Sequence, residues 1–331
     1  MVQSSQRLLR SCGVGYLQEL ISILAALEIK MEAFFGSVPV LYRRPEVHED
    51  IFYKYWHDIH GSFVAKFVGP YRYRQLHFLP YDRTIWQSEV VDKDLHESRQ
   101  LGGTAEFIFD SEAKRAWWLQ NVGIFADSDD ATVFRRSASY NVSLEGFSSP
   151  GGSIANPAVD ESSYRIFAML VANEPGAAFK EYVHRQLGPL ISAAHGVKHV
   201  QVTSYEPYQT PTREYFGGVD VGRHLLPDEQ HQASIEIVFE NRVEVDSFFI
   251  NAFKPLEAEF AQRVKRVHAY QIRGAYTLIE NELLTLAGFI GVSASKIVSQ
   301  LQPQSVMVEL EKANELRAQE ISKIFGGSNV P

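Results

Sequence analysis

The chain repeats itself, and the repeat restricts its fold more than any other feature. FYKYWHDIHGS from Phe52 aligns with FKEYVHRQLGP from Phe179, setting Phe52 against Phe179, Tyr55 against Tyr182, His57 against His184 and Gly61 against Gly188. The offset is 127 (179 minus 52), and without gaps it also sets Pro80-Tyr81 against Pro207-Tyr208. SVPVLYR and YRIFAMLV precede the two segments and read as strands. YRYRQLHFLP and KHVQVTSYEP follow them as second strands with alternating faces. Further on, TAEFIFDSEAKRAWW matches ASIEIVFENRVEVDSFF as a strand followed by a helix, with Glu106 against Glu236 and Phe109 against Phe239. Each half then closes on a strand with a matched tyrosine, Tyr140 and Tyr270. Each half therefore reads β-α-β-β-α-β, a split βαβ plan. Such a unit carries helices on one sheet face and leaves the other bare, and pairing two units buries both bare faces. The fold class expected is α+β: two tandem ferredoxin-like units forming an intramolecular α+β barrel, with helical N- and C-terminal segments.

The expected division is residues 1–30, an N-terminal amphipathic segment; 31–144, the first barrel half; 145–163, a linker; 164–278, the second half; and 279–331, a C-terminal helical extension. In the first of these, Leu17, Leu20, Ile21, Leu24 and Leu27 recur at helical spacing among charged residues, the pattern of an amphipathic helix and not of a span. Arg7 and Arg10, with no acid before Glu19, also fit a mitochondrial presequence; otherwise a cytoplasmic location is expected. The linker EGFSSPGGSIANPAVDESS is rich in Gly, Pro and Ser. Long polar insertions, 82–104 and 209–232, separate the second and third strands of the halves, the kind of loop that often forms lids or binding surfaces. In the C-terminal segment Val306, Leu310, Ala313, Leu316 and Ile324 make one apolar stripe, expected to pack on the fold.

Bulk properties remove several functions. Lys plus Arg number 32 against 40 Asp plus Glu, a formal net charge of −8, and no basic run offsets it, so nucleic acid is not an expected partner. The single cysteine, Cys12, excludes an internal disulfide and a cysteine-based zinc site. No stretch approaches the ~20 apolar residues of a membrane helix. A tandem supplies its own dimer-like pairing, so a monomer is expected, or a homodimer should free sheet edges pair.

The first helix carries Phe-x-x-Tyr-Trp-x-x-x-His-Gly (Phe52 to Gly61), and the acidic segment ADSDDATVF (126–134) leads into the last strand of that half. Together with the order of elements, these residues resemble EthD-like proteins of the dimeric α+β barrel superfamily, over residues 34–144 and more weakly over 164–278. The resemblance implies a fold more than a reaction. The superfamily includes cofactor-free polyketide cyclases, lactone isomerases, decarboxylases or dehydratases of aromatic polyketides, quinone-forming monooxygenases and haem enzymes. Many members hold a small hydrophobic substrate between sheet and helices, with a His or Tyr as the proton-transfer group.

Helical spacing places Trp56, His60, Val64 and Phe67 on one stripe, with Phe52, Ile59 and Phe63 beside it, so His60 faces the sheet. His57 sits about 60° away around the helix, nearer the edge. The second half replaces His60 by Leu187, Tyr73 by Val200, Gln75 by Val202 and His77 by Ser204. An unpartnered buried polar group costs roughly 1–3 kcal/mol, and the second half avoids that cost, so the fold does not require these groups. The first half is therefore expected to hold a site and the second to serve as scaffold. The catalytic candidates are His60, Tyr73 and His77: an imidazole titrating near neutrality as general acid/base, and Tyr73 or His77 donating to a carbonyl or enolate oxygen. Trp56, His57, Gln75, Tyr42 and Phe63 are the substrate-binding candidates. The bland alternatives are a core histidine bonded to a main-chain carbonyl, a structural His57 matched by His184, and aromatic residues that are plain core.

No metal and no cofactor are expected. His57 and His60 would need a third ligand such as His77 or Asp58. FGGVDVG (216–222) lacks the context of a dinucleotide loop, and no Gly-x-Ser-x-Gly elbow is present. The expected function is a cofactor-independent enzyme of lyase or cyclase type acting on a small apolar, aromatic or polyketide-like molecule. The alternatives are a non-catalytic module that binds a hydrophobic ligand or a protein, and a haem-dependent oxidoreductase.

Overall fold

In a computed structural model the described residues are 35–152, 157–207, 209 and 224–326. The expectations for residues 1–30 and for the loop at 216–222 lie outside them. Strand β1 (Phe35–Arg43) leads to helix α1, which is α-helical over Glu49–Tyr55, π-helical over Trp56–His60 and α-helical again over Gly61–Ala65. Strands β2 (Arg72–Phe78) and β3 (Gly103–Phe109), helices α2 (Glu112–Asn121) and α3 (Gly123–Asp130), and strand β4 (Phe134–Val142) complete the half. Helix α2 starts at Ser111, whose Oγ accepts the Lys114 N–H and so satisfies one of the free amides of the first turn.

Two short strands, β5 (Phe147–Ser148) and β6 (Val159–Asp160), precede the second half. That half runs β7 (Tyr164–Ala172), helix α4 (Ala177–Glu181, π-helical Tyr182–Leu187, Gly188–Ser192), β8 (Val197–Ser204), β9 (Ala233–Phe239), helix α5 (Arg242–Ser247, π-helical Phe248–Phe253, then through a 3-10 turn to Glu257–Arg263) and the long strand β10 (Val264–Glu280). Helices α6 (Leu286–Ile290), α7 (Val292–Leu301) and α8 (Gln304–Phe325) follow.

The strands form one antiparallel sheet in the order β4-β1-β3-β2-β10-β7-β9-β8. Each half contributes the same sequence of elements and the same strand order, last-first-third-second, and β2 pairs with β10 at the seam, Gln75 opposite Tyr276. Strand β5, immediately after β4, pairs with β8, Phe147 opposite Thr203, which brings the two ends of the sheet together. The linker expected from its Gly/Pro/Ser content therefore contains sheet: β5 and β6 cap edges of β8 and β10 that would otherwise present unpaired amides.

Strand alternation sorts the core into three apolar layers. In the first half Leu41, Tyr73, Ala105 and Phe107 face the helices with Phe52, Trp56 and Trp118. In the second half Ile166, Val200, Val202 and Ile235 do so with Phe179, Val183 and Phe248. The opposite sheet faces, among them Val40, Leu76, Tyr140, Phe167 and Tyr270, form the third layer. Gly61 and its counterpart Gly188 let each helix backbone lie on its second strand, since an added Cβ would meet Gln75 Nε2 and Val202 Cγ2 at 2.7 Å.

The face opposite the helices also holds a buried charge network that crosses between halves. Arg74 donates to Glu106 at 2.8 Å and to Glu236 at 2.7 Å, Gln201 donates to Glu106 at 2.7 Å, and Arg165 donates to Glu236 at 2.8 Å. Arg74 and Gln201 occupy matched positions, as do Glu106 and Glu236, so each half satisfies the other's carboxylate. Charges this deep are tolerated only when fully paired and hydrogen-bonded.

Two packing details differ from expectation. Residues 85–91 of the first insertion cross to the second half: Ile85, Trp86 and Val91 join its helix-facing layer, where Trp86 meets Phe249 and Phe253 edge-on at 5.4 and 5.1 Å. In α8, Leu316 of the anticipated stripe is exposed, while Arg317 is buried. Its guanidinium donates to the carbonyls of Ala65 and Phe67 at 2.9 Å, capping α1, because a cation suits the negative end of a helix.

Candidate functional site

The polar residues of the first half gather between its sheet and α1. The π-helical turn, with i→i+5 hydrogen bonding, is wider than the α-turn assumed from the sequence, and it sends the two histidines of α1 to different places. His57, expected near the edge, is buried and faces the sheet: its ring lies 5.6 Å from that of His77 and 5.1 Å from that of Tyr276. Asp58 Oδ1 is 2.9 Å from its Nδ1. The same carboxylate holds the start of α7: Oδ1 also accepts from Ser293 N at 2.7 Å, and Oδ2 accepts from Ser293 Oγ at 2.6 Å. Burial lowers the pKa of His57, against the pull of Asp58.

His60 is buried on the α3 side. Its Nδ1 is 2.8 Å from Asp129 Oδ2, its Nε2 is 3.9 Å from Asp130 Oδ1, and Phe134 presents an edge at 5.8 Å. Tyr55 donates to the second oxygen of Asp129 at 2.7 Å. Burial pushes the Asp129 carboxyl upward, but the hydrogen bonds from His60 and Tyr55 outweigh it and its pKa lies below the ordinary value. Asp129 thus stays ionised at neutral pH, which places the His60 proton on Nδ1 and leaves Nε2 as the basic nitrogen.

Tyr73, Gln75 and His77 form one hydrogen-bonded row along β2. Gln75 Nε2 donates to Tyr73 Oη at 2.6 Å and to the Trp56 carbonyl at 3.2 Å, and Gln75 Oε1 lies 3.1 Å from His77 Nε2. His77 is enclosed by rings, stacked on Trp56 at 4.1 Å and 9° and on Tyr53 at 5.0 Å, with Tyr276 edge-on at 4.8 Å. Desolvation and the nearby His57 and Arg273 hold its pKa well below the usual histidine range, so it is neutral and its N–H is engaged by Gln75. Its Nδ1 is buried and has no hydrogen-bond partner among the described residues. Burial raises the Tyr73 hydroxyl, with Asp130 and Asp129 adding to the rise. That hydroxyl accepts from Gln75, so its own proton is left to donate.

Six of the eight candidate residues, Trp56, His57, His60, Tyr73, Gln75 and His77, are thus gathered in one layer, and two are not. Tyr42 points to the opposite face of the sheet, where Arg136 lies over its ring at 3.8 Å. Phe63 is partly exposed and pairs with Phe67 at 5.4 Å. Tyr55, Asp129 and Asp130 are not among the eight candidates, although the Phe-x-x-Tyr-Trp pattern contains the first and ADSDDATVF the other two. Among the described residues no cluster of three or more His, Cys, Asp or Glu is arranged to hold a metal ion. No helix among them is long and apolar enough to cross a membrane.

No family model matches the sequence, and no curated protein does. Among solved structures the chain is similar to a candidate monooxygenase from Lactobacillus acidophilus NCFM (10% identity, 73% of this chain and 93% of that one, TM-score 0.40). It is similar also to an anthrone oxidase-like protein (7% identity, 75% and 94%, TM-score 0.45) and to a candidate monooxygenase from Fusobacterium nucleatum subsp. nucleatum ATCC 25586 (6% identity, 75% and 94%, TM-score 0.46). At such identities and scores, the chemistry rests on this chain's own residues.

Proposed function

We propose that the helix-facing layer of the first half is the active site of a cofactor-independent, EthD-like acid–base enzyme for a small apolar, aromatic or polyketide-like substrate. One observation carries this reading. The two stretches that resemble EthD-like proteins, far apart in sequence, meet at the 2.8 Å contact between His60 Nδ1 and Asp129. A core histidine needs only a carbonyl, whereas a carboxylate on Nδ1 fixes the tautomer and stabilises the imidazolium formed when Nε2 takes a proton.

In this reading His60 Nε2 removes a proton from a carbon beside a substrate carbonyl, or from a hydroxyl. Asp129 keeps the ring oriented and is itself held by Tyr55. Tyr73 donates its O–H to the oxygen on which negative charge develops. Gln75 and His77 orient Tyr73 and are positioning residues. The protonated His60 then returns the proton to a leaving hydroxyl or to carbon, which suits loss of water, cyclisation or isomerisation. A lyase is the reading we favour.

The test begins with crystals soaked in aromatic and polyketide-like fragments, where density beside His60 Nε2 is expected. With a fragment-derived substrate, His60→Gln cuts turnover about a hundredfold, the usual scale of a general acid/base group, while thermal stability moves little. Asp129→Asn lowers turnover by less and shifts the pH profile, as loss of an orienting carboxylate does. Full activity in His60→Gln overturns the assignment. Binding without turnover in the wild-type protein would replace it by a ligand-binding module.

A further inference from the structure

A cleft of about 540 Å³ opens at the end of β1, where Arg43, Arg135, Tyr53 and Leu101 line it. Its volume lies in the range of small-molecule sites. The two arginines are held in an unusual way. Arg43 Nη1 donates to the main-chain carbonyls of Arg44 and Val47, and Arg135 Nη2 donates to that of Ser98. Arg136, next to Arg135 in the chain, faces the Glu229 carboxylate instead. Among the described residues neither Arg43 nor Arg135 has a carboxylate within ion-pair distance, and Arg135 Nε is shielded from solvent with no hydrogen-bond partner. Carbonyl partners fix a guanidinium without neutralising it, so both keep their charge beside the cleft.

Two acids also line the cleft, and they do not cancel this. Glu49 is paired with Arg273, Nη1 to Oε1 at 3.0 Å, and Glu97 is exposed. The rest of the lining is mixed: Pro45, Pro80, Leu101 and the edge of Tyr53 are apolar, and His96, Ser98 and Gln100 are polar.

We propose that this cleft binds a small molecule with an apolar body and a carboxylate, the carboxylate between Arg43 and Arg135 and the body against Pro45 and Pro80. Guanidinium forks match carboxylates in shape as well as charge. The proposal does not rest on the reading of His60 and Asp129, because none of its residues belongs to that pair.

Isothermal titration of the full chain with 2-naphthoate, its neutral amide 2-naphthamide, and inorganic phosphate tests it. The acid binds at least tenfold more tightly than the amide, and phosphate binds more weakly than the acid. Arg135→Gln removes the preference for the acid. Glu97→Gln, at an exposed position that does not threaten folding, strengthens binding of the acid by a few fold. Equal affinity for acid and amide, phosphate binding tighter than the acid, no binding of the acid at millimolar concentration, or no change in Glu97→Gln each overturns the proposal, whether or not Arg135→Gln folds.

Discussion

The helix-facing layers of the two halves have the same strands in the same order and opposite contents. In the first, β2 presents Tyr73, Gln75 and His77 to a helix carrying His57 and His60. In the second, β8 presents Val200 and Val202 to a helix carrying Leu187, and the indole of Trp86 from the first half's insertion fills the space against α5. One scaffold thus accepts either filling. The polar row is not a requirement of the architecture, and the second layer is closed by a side chain that the first half supplies.

The comparison can be broken most severely at Trp86. Trp86→Ala empties a site lined by Phe249, Phe253 and Phe260, and unfolding in urea is expected to show a loss of about 3–5 kcal/mol. A much smaller loss would mean that the indole is a surface decoration. A sharper contrast comes from giving the first layer the second layer's residue. His60→Leu changes the unfolding free energy by only about 1 kcal/mol, since partly exposed Asp129 can turn to water, yet it removes any acid–base turnover. A loss several times larger would make His60 structural.

The smallest expected effect concerns His184, the position set against His57, and its fellow buried imidazole His268. Burial, helped by Lys180, lowers His184 to about 4, and burial likewise lowers His268 to about 4 despite Asp92. Both values lie below the usual unfolded value of about 6.5, so the unfolded chain binds more protons between these limits. This contribution to stability is intact above about pH 6.5 and is lost as the pH falls toward 4. Melting temperatures measured across that window should decline, and His184→Gln should flatten part of the decline. An unchanged slope would return the effect to His268 and its neighbours.

The strand plan was legible because residues set at an offset of 127 take comparable strand positions, Tyr73 opposite Phe107 and Val200 opposite Ile237. The buried polarity at 60, 73, 75 and 77 was legible for the same reason. Other features were not. An α-helical wheel cannot show a π-turn, so the divergence of His57 and His60 was hidden. Asp129 lies 69 residues from His60, and no periodicity connects them. Tyr42 was misplaced because an aromatic residue on a strand buried on both faces gives no sign of which face it takes. Arg317 reads as a solvated charge until the carbonyls at the end of α1 are in view.

The crossed bonds from Arg74 to Glu236 and from Gln201 to Glu106 bear on what a fragment of this chain can do. Severed near Gly152, the N-terminal piece would expose a glutamate stripped of its amide donor, and the C-terminal piece a glutamate stripped of one of its arginines. Neither piece could hide that defect by itself. They would have to be produced together and find each other, like two subunits whose only permanent address is the partner's interior.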